Sequence, residues 1–139
     1  MSARLPLLVV LAGLLALPSA ASAATKNGVT PVSPKAGKSI PVGKRPVMKM
    51  KIRGSGQVYV HVCKSKKKDA DGLICFKESI GRAKKKGSTY QYKPKFFDFP
   101  EFWLNSPGTY YWQAHRIACE NGDTSDCRQE GPIVKFRVG

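Results

Sequence analysis

The chain has 139 residues, of which 24 are Lys or Arg and 9 are Asp or Glu, so its formal net charge is +15. This length allows one domain and leaves no room for a second sizeable core. Hydrophobic residues make up 42% of the chain and charged residues 24%, a globular composition that excludes a wholly disordered protein. The composition leaves one question open, which is whether the positive charge binds a partner or only keeps the surface soluble.

The first residues have the pattern of a secretory signal peptide. One basic side chain, Arg4, precedes an apolar run over residues 5–17, and a proline and the small residues 21–23 follow that run. The run has 13 residues, fewer than the ~20 that a bilayer-spanning helix needs. We therefore expect residues 1–23 to be a signal peptide that is cleaved on export, with retention as a membrane anchor as the alternative. Cleavage would give a secreted or cell-envelope protein with no stable membrane insertion.

The rest of the chain predicts a linker followed by a β domain. Residues 24–46 contain four Pro and three Gly, which favours a linker that runs into an edge strand. Residues 47–139 alternate apolar and polar side chains between turn signals, and no segment has a helical apolar period. Further strands are predicted at 48–53, 58–63, 73–80, from 90, at 109–119 and at 133–138, with a turn at 54–56 and a loop at 84–87. The pattern predicts an all-β sandwich of about seven strands.

Four cysteines in an exported chain predict two disulfides. The simplest pairing is local, because the segments between Cys63 and Cys75 and between Cys119 and Cys127 are both polar and loop-like. A crossed pairing is the alternative. A zinc site is less favoured, since the chain has no C-x-x-C pair and its histidines are not suitably spaced.

The segment Leu-Asn-Ser-Pro-Gly-Thr-Tyr at 104–110 resembles the loop and tyrosine corner of fibronectin type III and related immunoglobulin-like domains. The resemblance implies that the corner tyrosine bonds through its hydroxyl to loop backbone, and that the tryptophan two residues later points into the core. It also implies a binding, spacer or adhesion module with no catalytic chemistry and no cofactor. The residues that carry it are Leu104, Pro107, Gly108, Tyr110 and Trp112.

The two histidines, His61 and His115, fall on neighbouring strands of such a sandwich. Both have outward parity, so they are predicted to be solvent-facing neighbours. No carboxylate shares their face to complete a metal site, and no metal is therefore predicted there.

Residues 69–78 partly match a calcium-binding loop, with Asp69, Asp71, Gly72 and Glu78 at ligand or turn positions. Lys67 occupies the first position, where calcium needs an anion, so a plain Asp-Gly turn is predicted instead. The sequence contains no G-x-S-x-G, no H-E-x-x-H and no phosphate-binding glycine loop. No catalytic residue, metal ligand or cofactor is predicted.

The positive charge is unevenly distributed. Residues 25–95 carry 19 Lys and Arg against three acidic residues, a net of +16, whereas residues 96–139 have a net of −2. Such a region would attract polyanions, and export argues against intracellular nucleic acid among them. A merely solvated basic surface is the alternative, because no aromatic residues alternate with the lysines. The candidate polyanion-binding residues are Lys49, Lys51, Arg53, Lys64, Lys66, Lys67, Lys68, Lys84, Lys85, Lys86, Lys93 and Lys95.

The sequence thus favours an exported, non-enzymatic β-sandwich that acts as an interaction or adhesion module of the cell envelope or extracellular space. Its partner would be an unidentified protein or an anionic surface polymer. The alternative is a secreted protein that binds polyanions: an anionic wall polymer, lipid headgroups or extracellular nucleic acid. A secreted hydrolase or inhibitor is the least favoured function.

Overall fold

A computed structural model describes residues 24–75, 80–94, 104, 106–119 and 127–139. The predicted signal peptide at 1–23 lies outside these residues. The strands are β1 (Val29–Ser33), β2 (Ser39–Ile40), β3 (Met48–Ile52), β4 (Gln57–Cys63), β5 (Ile80–Lys86), β6 (Thr89–Tyr92), β7 (Gly108–Ile117) and β8 (Arg128–Val138). In the described part of the chain, no helix is long and apolar enough to cross a membrane. The predicted all-β class is confirmed.

All eight strands are hydrogen-bonded in the order β1-β3-β6-β5-β4-β7-β8-β2. Neighbouring strands are antiparallel, except that β2 runs parallel to β8. The sheet curls, because the edge strand β1 also contacts β7 and β8 at the other end of the order. Two layers therefore face each other across the core, with β1, β3 and β6 in one layer and β4, β7, β8 and β2 in the other. This arrangement is the β-sandwich that the sequence predicts.

Strand β5 is the corner that joins the two layers. Its first half pairs with β4, up to the pair Val58 and Ala83. Its second half pairs with β6, from Lys84 opposite Gln91 to Lys86 opposite Thr89. Strands that bend and switch from one layer to the other form the corners of such sandwiches.

Two local predictions around β5 are wrong. The sequence predicts a strand over 73–80 and a loop over 84–87, whereas the described residues 73–75 form no strand and β5 runs from Ile80 to Lys86; residues 76–79 lie outside the described residues. The apolar pair Leu73 and Ile74 is buried in a loop and forms only an isolated bridge, from Ile74 to Lys68. The basic run of β5 lacks the apolar and polar alternation that predicts a strand. Solvent-exposed positions of a β-strand accept charged side chains, so a basic run does not exclude strand pairing.

The core lies between the layers and is formed by alternate residues of the paired strands. Trp112 and Phe136 are fully buried there, and Met48 and Met50 fill the opposite layer. The indole nitrogen of Trp112 donates a 3.0 Å hydrogen bond to the carbonyl of Pro34. Each such side chain contributes about 1.5–3 kcal/mol through burial, so the inward residues of both layers stabilise the curl.

The loop before β7 has the geometry of a tyrosine corner. The Tyr110 hydroxyl donates a 3.0 Å hydrogen bond to the carbonyl of Ser106, which is the bond to loop backbone that the resemblance implies. Leu104, Tyr110 and Trp112 are all buried. The corner fixes where β7 enters the sandwich and therefore sets its register against β4 and β8.

One glycine is essential to the β5 corner. A Cβ atom on Gly81 would collide with the ring of Tyr92. The ring of Tyr92, which belongs to the core cluster, therefore lies directly on the β5 backbone. Only a residue without a side chain permits this approach.

Candidate functional site

Four lysines share the outer surface of β3, β6 and β5, which we call the lysine face. Its members are Lys49, Lys51, Lys84 and Lys86, together with Thr89 and Gln91 between them. Lys84 lies opposite Gln91, and Gln91 lies opposite Lys49, so the three form one row across the strands. Paired residues point to the same side of a sheet. Two strand spacings place the Cα atoms of Lys84 and Lys49 about 10 Å apart.

The strip between the two lysine strands is polar and uncharged. The Gln91 amide donates a 3.1 Å hydrogen bond to the Thr89 hydroxyl. That hydroxyl donates in turn to the Lys86 carbonyl at 3.4 Å. The alternate residues of β6, Tyr90 and Tyr92, pack with the core instead. The lysine face is therefore a hydrogen-bonding surface with cations on both sides of a polar strip.

No described carboxylate neutralises the lysine face. Asp71 pairs with Arg128 at 3.2 Å, and Glu130 pairs with Lys26 at 2.9 Å. The hydrogen bond from Lys26 lowers the pKa of Glu130. The remaining described side-chain carboxylate, that of Asp69, accepts backbone N–H groups of its own turn. The positive potential of the face is thus not offset by any ion pair among the residues that the structure describes.

The other candidate cations are divided among three places. Lys64 and Lys66–Lys68 lie on the loop of residues 64–75, above β4 and β7, and are exposed. The ammonium of Lys64 lies 5.4 Å from the centroid of the Tyr110 ring, a cation–π contact. Arg53 follows β3 and Lys93 follows β6, and both are exposed. Lys85 lies opposite Tyr90 on β5, and Lys95 falls outside the described residues. The predicted basic region is therefore not one surface: Lys49, Lys51, Lys84 and Lys86 share the lysine face, and the other described cations lie apart from it.

Sequence reasoning missed three members of this region. Thr89 and Gln91 contribute the polar strip, and Arg82 precedes the β5 lysines on the same outward parity, opposite Tyr59. The alternation of Arg82, Lys84 and Lys86 was the available signal, because a two-residue period of basic side chains is typical of one strand face.

The two histidines form a buried pair instead of an exposed one. The predicted neighbours are confirmed, since Tyr59 pairs with His115 and His61 pairs with Gln113 on the outer face of β4 and β7. Nε2 of His61 lies 2.6 Å from Nδ1 of His115, a hydrogen bond. The prediction that they are solvent-facing is wrong, because both side chains are fully buried. Strand parity identifies the face of a residue, but it does not show that a loop covers that face.

Burial controls the charge of the histidine pair. The pKa of His61 is lowered to about 3, mainly by burial and to a smaller extent by the nearby His115. Burial also lowers the pKa of His115 to about 4, with a smaller effect from the charge of Arg128. Both rings are therefore neutral at pH 7, and each can hold one N–H donor and one acceptor nitrogen.

The cover over the histidines is the loop of residues 64–75. Its fully buried residues Leu73 and Ile74 lie outside the main core cluster, so they form a separate small core on the outer face. Gln113 holds this end of the loop: its side-chain oxygen accepts the N–H of Ile74 at 3.0 Å, and its amide donates to the carbonyl of Gly72 at 3.1 Å. Unprotonated histidines are compatible with this apolar cover, whereas charged ones are not.

The aspartates of the loop are used for structure. One carboxylate oxygen of Asp69 accepts the N–H groups of Asp71 and Leu73, at 2.9 and 3.0 Å. This is the Asp-Gly turn that the sequence predicts. Glu78, the last position of the calcium-loop match, lies outside the described residues. In the part of the chain that the structure describes, no three His, Cys, Asp or Glu side chains come together to hold a metal ion.

Both local disulfides are confirmed, with Cys63 bonded to Cys75 and Cys119 bonded to Cys127. The first bridge closes the loop over the histidine pair. Two disulfides in one small domain are typical of proteins from oxidising compartments.

No family model matches the sequence, and no curated protein is significantly similar to it. Over 80% of its length, the chain is similar to a structure of the fibronectin(III)-like modules of Clostridium thermocellum CbhA, with a TM-score of 0.45 and 18% identity. It is similar over the same share to an engineered protein, with a TM-score of 0.47 and 12% identity. The chain spans 45% of the first of these chains and 20% of the second.

The class of the fold follows from the molecule itself. The two-layer curl, the strand order and the tyrosine corner define an immunoglobulin-like β-sandwich of the fibronectin type III-like kind. A fold does not identify a ligand, because the ligand depends on the side chains that the surface presents.

Proposed function

We propose that the protein is an exported, non-enzymatic binding module of the cell envelope or extracellular space, and that it binds an anionic polymer on the lysine face. The observation that carries this proposal is the placement of Lys49, Lys51, Lys84 and Lys86 on one paired surface without a described carboxylate partner. A soluble surface normally mixes charges of both signs, and a large field of one sign is typical of an anion-binding surface.

The rigidity of the lysine face supports binding. Lys49 and Lys51 lie on β3, which pairs with β1 and β6, and Lys84 and Lys86 lie on the half of β5 that pairs with β6. Paired strands present their charges at fixed spacing, so a linear polyanion can bind several of them with little ordering of the backbone. The lysines of the 64–75 loop do not lie on paired strands, so we expect them to contribute less to polyanion binding.

Two observations favour a soluble or wall-type polymer over other anions. Single-stranded nucleic acid binds through successive aromatic platforms, and the tyrosines of β6 pack with the core. Insertion into a membrane surface needs exposed apolar side chains, and among the described residues the exposed large hydrophobic side chain is Val42, which is not on the lysine face. Export is supported by the leader-like residues 1–23 and by the two disulfides.

The proposal is tested with a charge-reversal variant and a control of equal charge. Binding of heparin, used as a generic soluble polyanion, is measured by titration calorimetry for the wild-type protein and for both variants. The test variant is Lys49→Glu, Lys84→Glu and Lys86→Glu; the control is Lys35→Glu, Lys38→Glu and Lys135→Glu, which are exposed lysines on or near β2 and β8.

The test variant is expected to lose at least about tenfold in affinity, because three direct contacts become repulsive. The control changes the net charge equally and is expected to lose only a few-fold through the weaker overall field. Equal losses in the two variants would contradict the lysine face as the binding site. Absence of any heparin binding by the wild-type protein at low salt would contradict polyanion binding altogether.

A further inference from the structure

A cleft of about 440 Å³ opens where β5 leaves β4 and joins β6. The last pair between β4 and β5 is Val58 with Ala83, and the next residue of β5, Lys84, already pairs with Gln91 of β6. The start of β4 at Gln57 and the second half of β5 therefore diverge. The cleft lies between them, and its volume is within the range of small-molecule sites, roughly 300–1,000 Å³.

Three cations line this cleft. Arg82, Lys84 and Lys85 are all exposed side chains in its wall. None of the three forms an ion pair in the described part of the chain. A guanidinium presents two parallel N–H donors that match a planar carboxylate, and the two ammonium groups add point charges beside it. The cleft is therefore built for an anionic group.

The rest of the lining is neutral and suits a sugar ring. Gln57 lines the cleft, and its side-chain oxygen already accepts a 2.7 Å hydrogen bond from the Tyr59 hydroxyl. Its amide nitrogen still has donors for a ligand hydroxyl. Tyr90 is half-buried, packs against the core and forms another part of the wall. An aromatic wall beside hydrogen-bonding groups is suited to a molecule with one apolar side and several hydroxyls.

We infer that this cleft binds an acidic sugar residue, a uronate, of a polysaccharide whose neighbouring residues lie along the lysine face. The inference rests on the proposed function and adds the ligand class. Lys84 belongs to both surfaces, so the cleft continues directly into the lysine face. The cleft opens at the gap between β4 and β5, so it is lined from both faces of the sheet: Gln57 and Arg82 point to the outer face, whereas Lys85 and Tyr90 point to the inner face. Arg82 and Lys85 contact the carboxylate from these two sides, Gln57 contacts hydroxyls, and the Tyr90 side chain contacts the ring.

Other polyanions fit this lining less well. Polyphosphate has no apolar side for Tyr90 and no hydroxyls for Gln57. A single-stranded nucleic acid has many bases, whereas the described lining holds one aromatic side chain. An anionic bilayer cannot place a headgroup in a cleft without apolar side chains around the rim that enter the lipid.

The experiment compares ligands of equal charge. Oligogalacturonate, polyphosphate and a single-stranded DNA oligomer of matched charge are titrated against the protein, with phosphatidylglycerol vesicles as a fourth arm. The cleft variant Arg82→Gln with Lys85→Gln is compared with the control Lys38→Gln with Lys135→Gln, which removes the same charge from exposed lysines elsewhere. A third variant, Gln57→Ala, leaves the charge unchanged.

The wild-type protein is expected to bind oligogalacturonate more tightly than the other three ligands. The cleft variant is expected to lose about tenfold for oligogalacturonate while its affinity for polyphosphate falls only as far as that of the control. The Gln57→Ala variant is expected to lose several-fold for oligogalacturonate alone, because one hydrogen bond to a hydroxyl is removed.

The results that would contradict the uronate cleft differ from those that would contradict polyanion binding as a whole. Equal losses for oligogalacturonate and polyphosphate, or tighter binding of DNA or vesicles, would overturn the uronate cleft and leave the polyanion-binding function standing. A wild-type protein that binds none of the four ligands at low salt would overturn both.

Discussion

The buried histidine pair makes the stability of this protein sensitive to mild acid. Burial keeps His61 and His115 neutral, with pKa values of about 3 and about 4 against an ordinary value of 6.5. In the unfolded chain both histidines titrate near 6.5, so the unfolded state binds more protons below that pH. The stability of the folded state is therefore complete above pH 6.5 and is lost as the pH falls toward 4 for His115 and toward 3 for His61.

The magnitude follows from the two pKa differences. Each pH unit below 6.5 costs ~1.4 kcal/mol for each histidine that stays neutral in the folded state. At pH 5 the loss is ~2 kcal/mol for each histidine and ~4 kcal/mol for the pair, a large part of the 5–15 kcal/mol that stabilises an ordinary domain. The window between pH 7 and 5 isolates the histidines, because the lowered pKa of Glu130 makes its contribution fall only at more acidic pH.

Urea unfolding followed by tryptophan fluorescence at pH 7, 6 and 5 measures this loss. The variant with His61→Gln and His115→Gln serves as the control, and its free energy of unfolding should change little over the same range. A wild-type free energy of unfolding that is equal at pH 7 and pH 5 would refute the buried neutral pair. Proton NMR provides a second check, since neither histidine should titrate between pH 7 and 5.

Three further predictions concern the parts that hold the sandwich together. Replacing both Cys63 and Cys75 by Ser is expected to lower the free energy of unfolding by about 3 kcal/mol in the chain-entropy description, measured by urea unfolding; an unchanged midpoint would show that the bridge does not hold the cover. Gly81→Ala is expected to cost about 1–3 kcal/mol because the new methyl group collides with the Tyr92 ring, and a melting temperature equal to the wild type would contradict that packing. Tyr110→Phe removes the hydroxyl bond of the corner and is expected to cost about 1 kcal/mol, with a loss near zero in thermal unfolding speaking against it.

Alternation in the sequence identified most of the strands because their inward residues are apolar and their outward residues are polar. Met48 and Met50 on β3 and the valines of β4 show this pattern directly. The corner at Tyr110 was identified from its own short motif, and the hydrogen bond to Ser106 is present. Local signals suffice where one strand and its adjacent turn carry the information.

The rest of the fold depends on contacts between distant segments. The lysines of β5 do not show that the strand changes partners after Ala83. The parity of His61 does not show that Ile74 covers it, because the cover depends on a disulfide and on Gln113. The lysine face could not be predicted from the sequence for the same reason. The row from Lys84 through Gln91 to Lys49 depends on the register of three strands, which local patterns do not give.

The salt dependence of polyanion binding tests the lysine face most directly. The logarithm of the heparin association constant is plotted against the logarithm of the salt concentration for the wild-type protein and for the Lys49→Glu, Lys84→Glu and Lys86→Glu variant. The slope reports the number of cationic contacts, and removal of three contacts should reduce it by about two to three. The same slope in both proteins would show that heparin binds elsewhere and would contradict the proposed function of this surface.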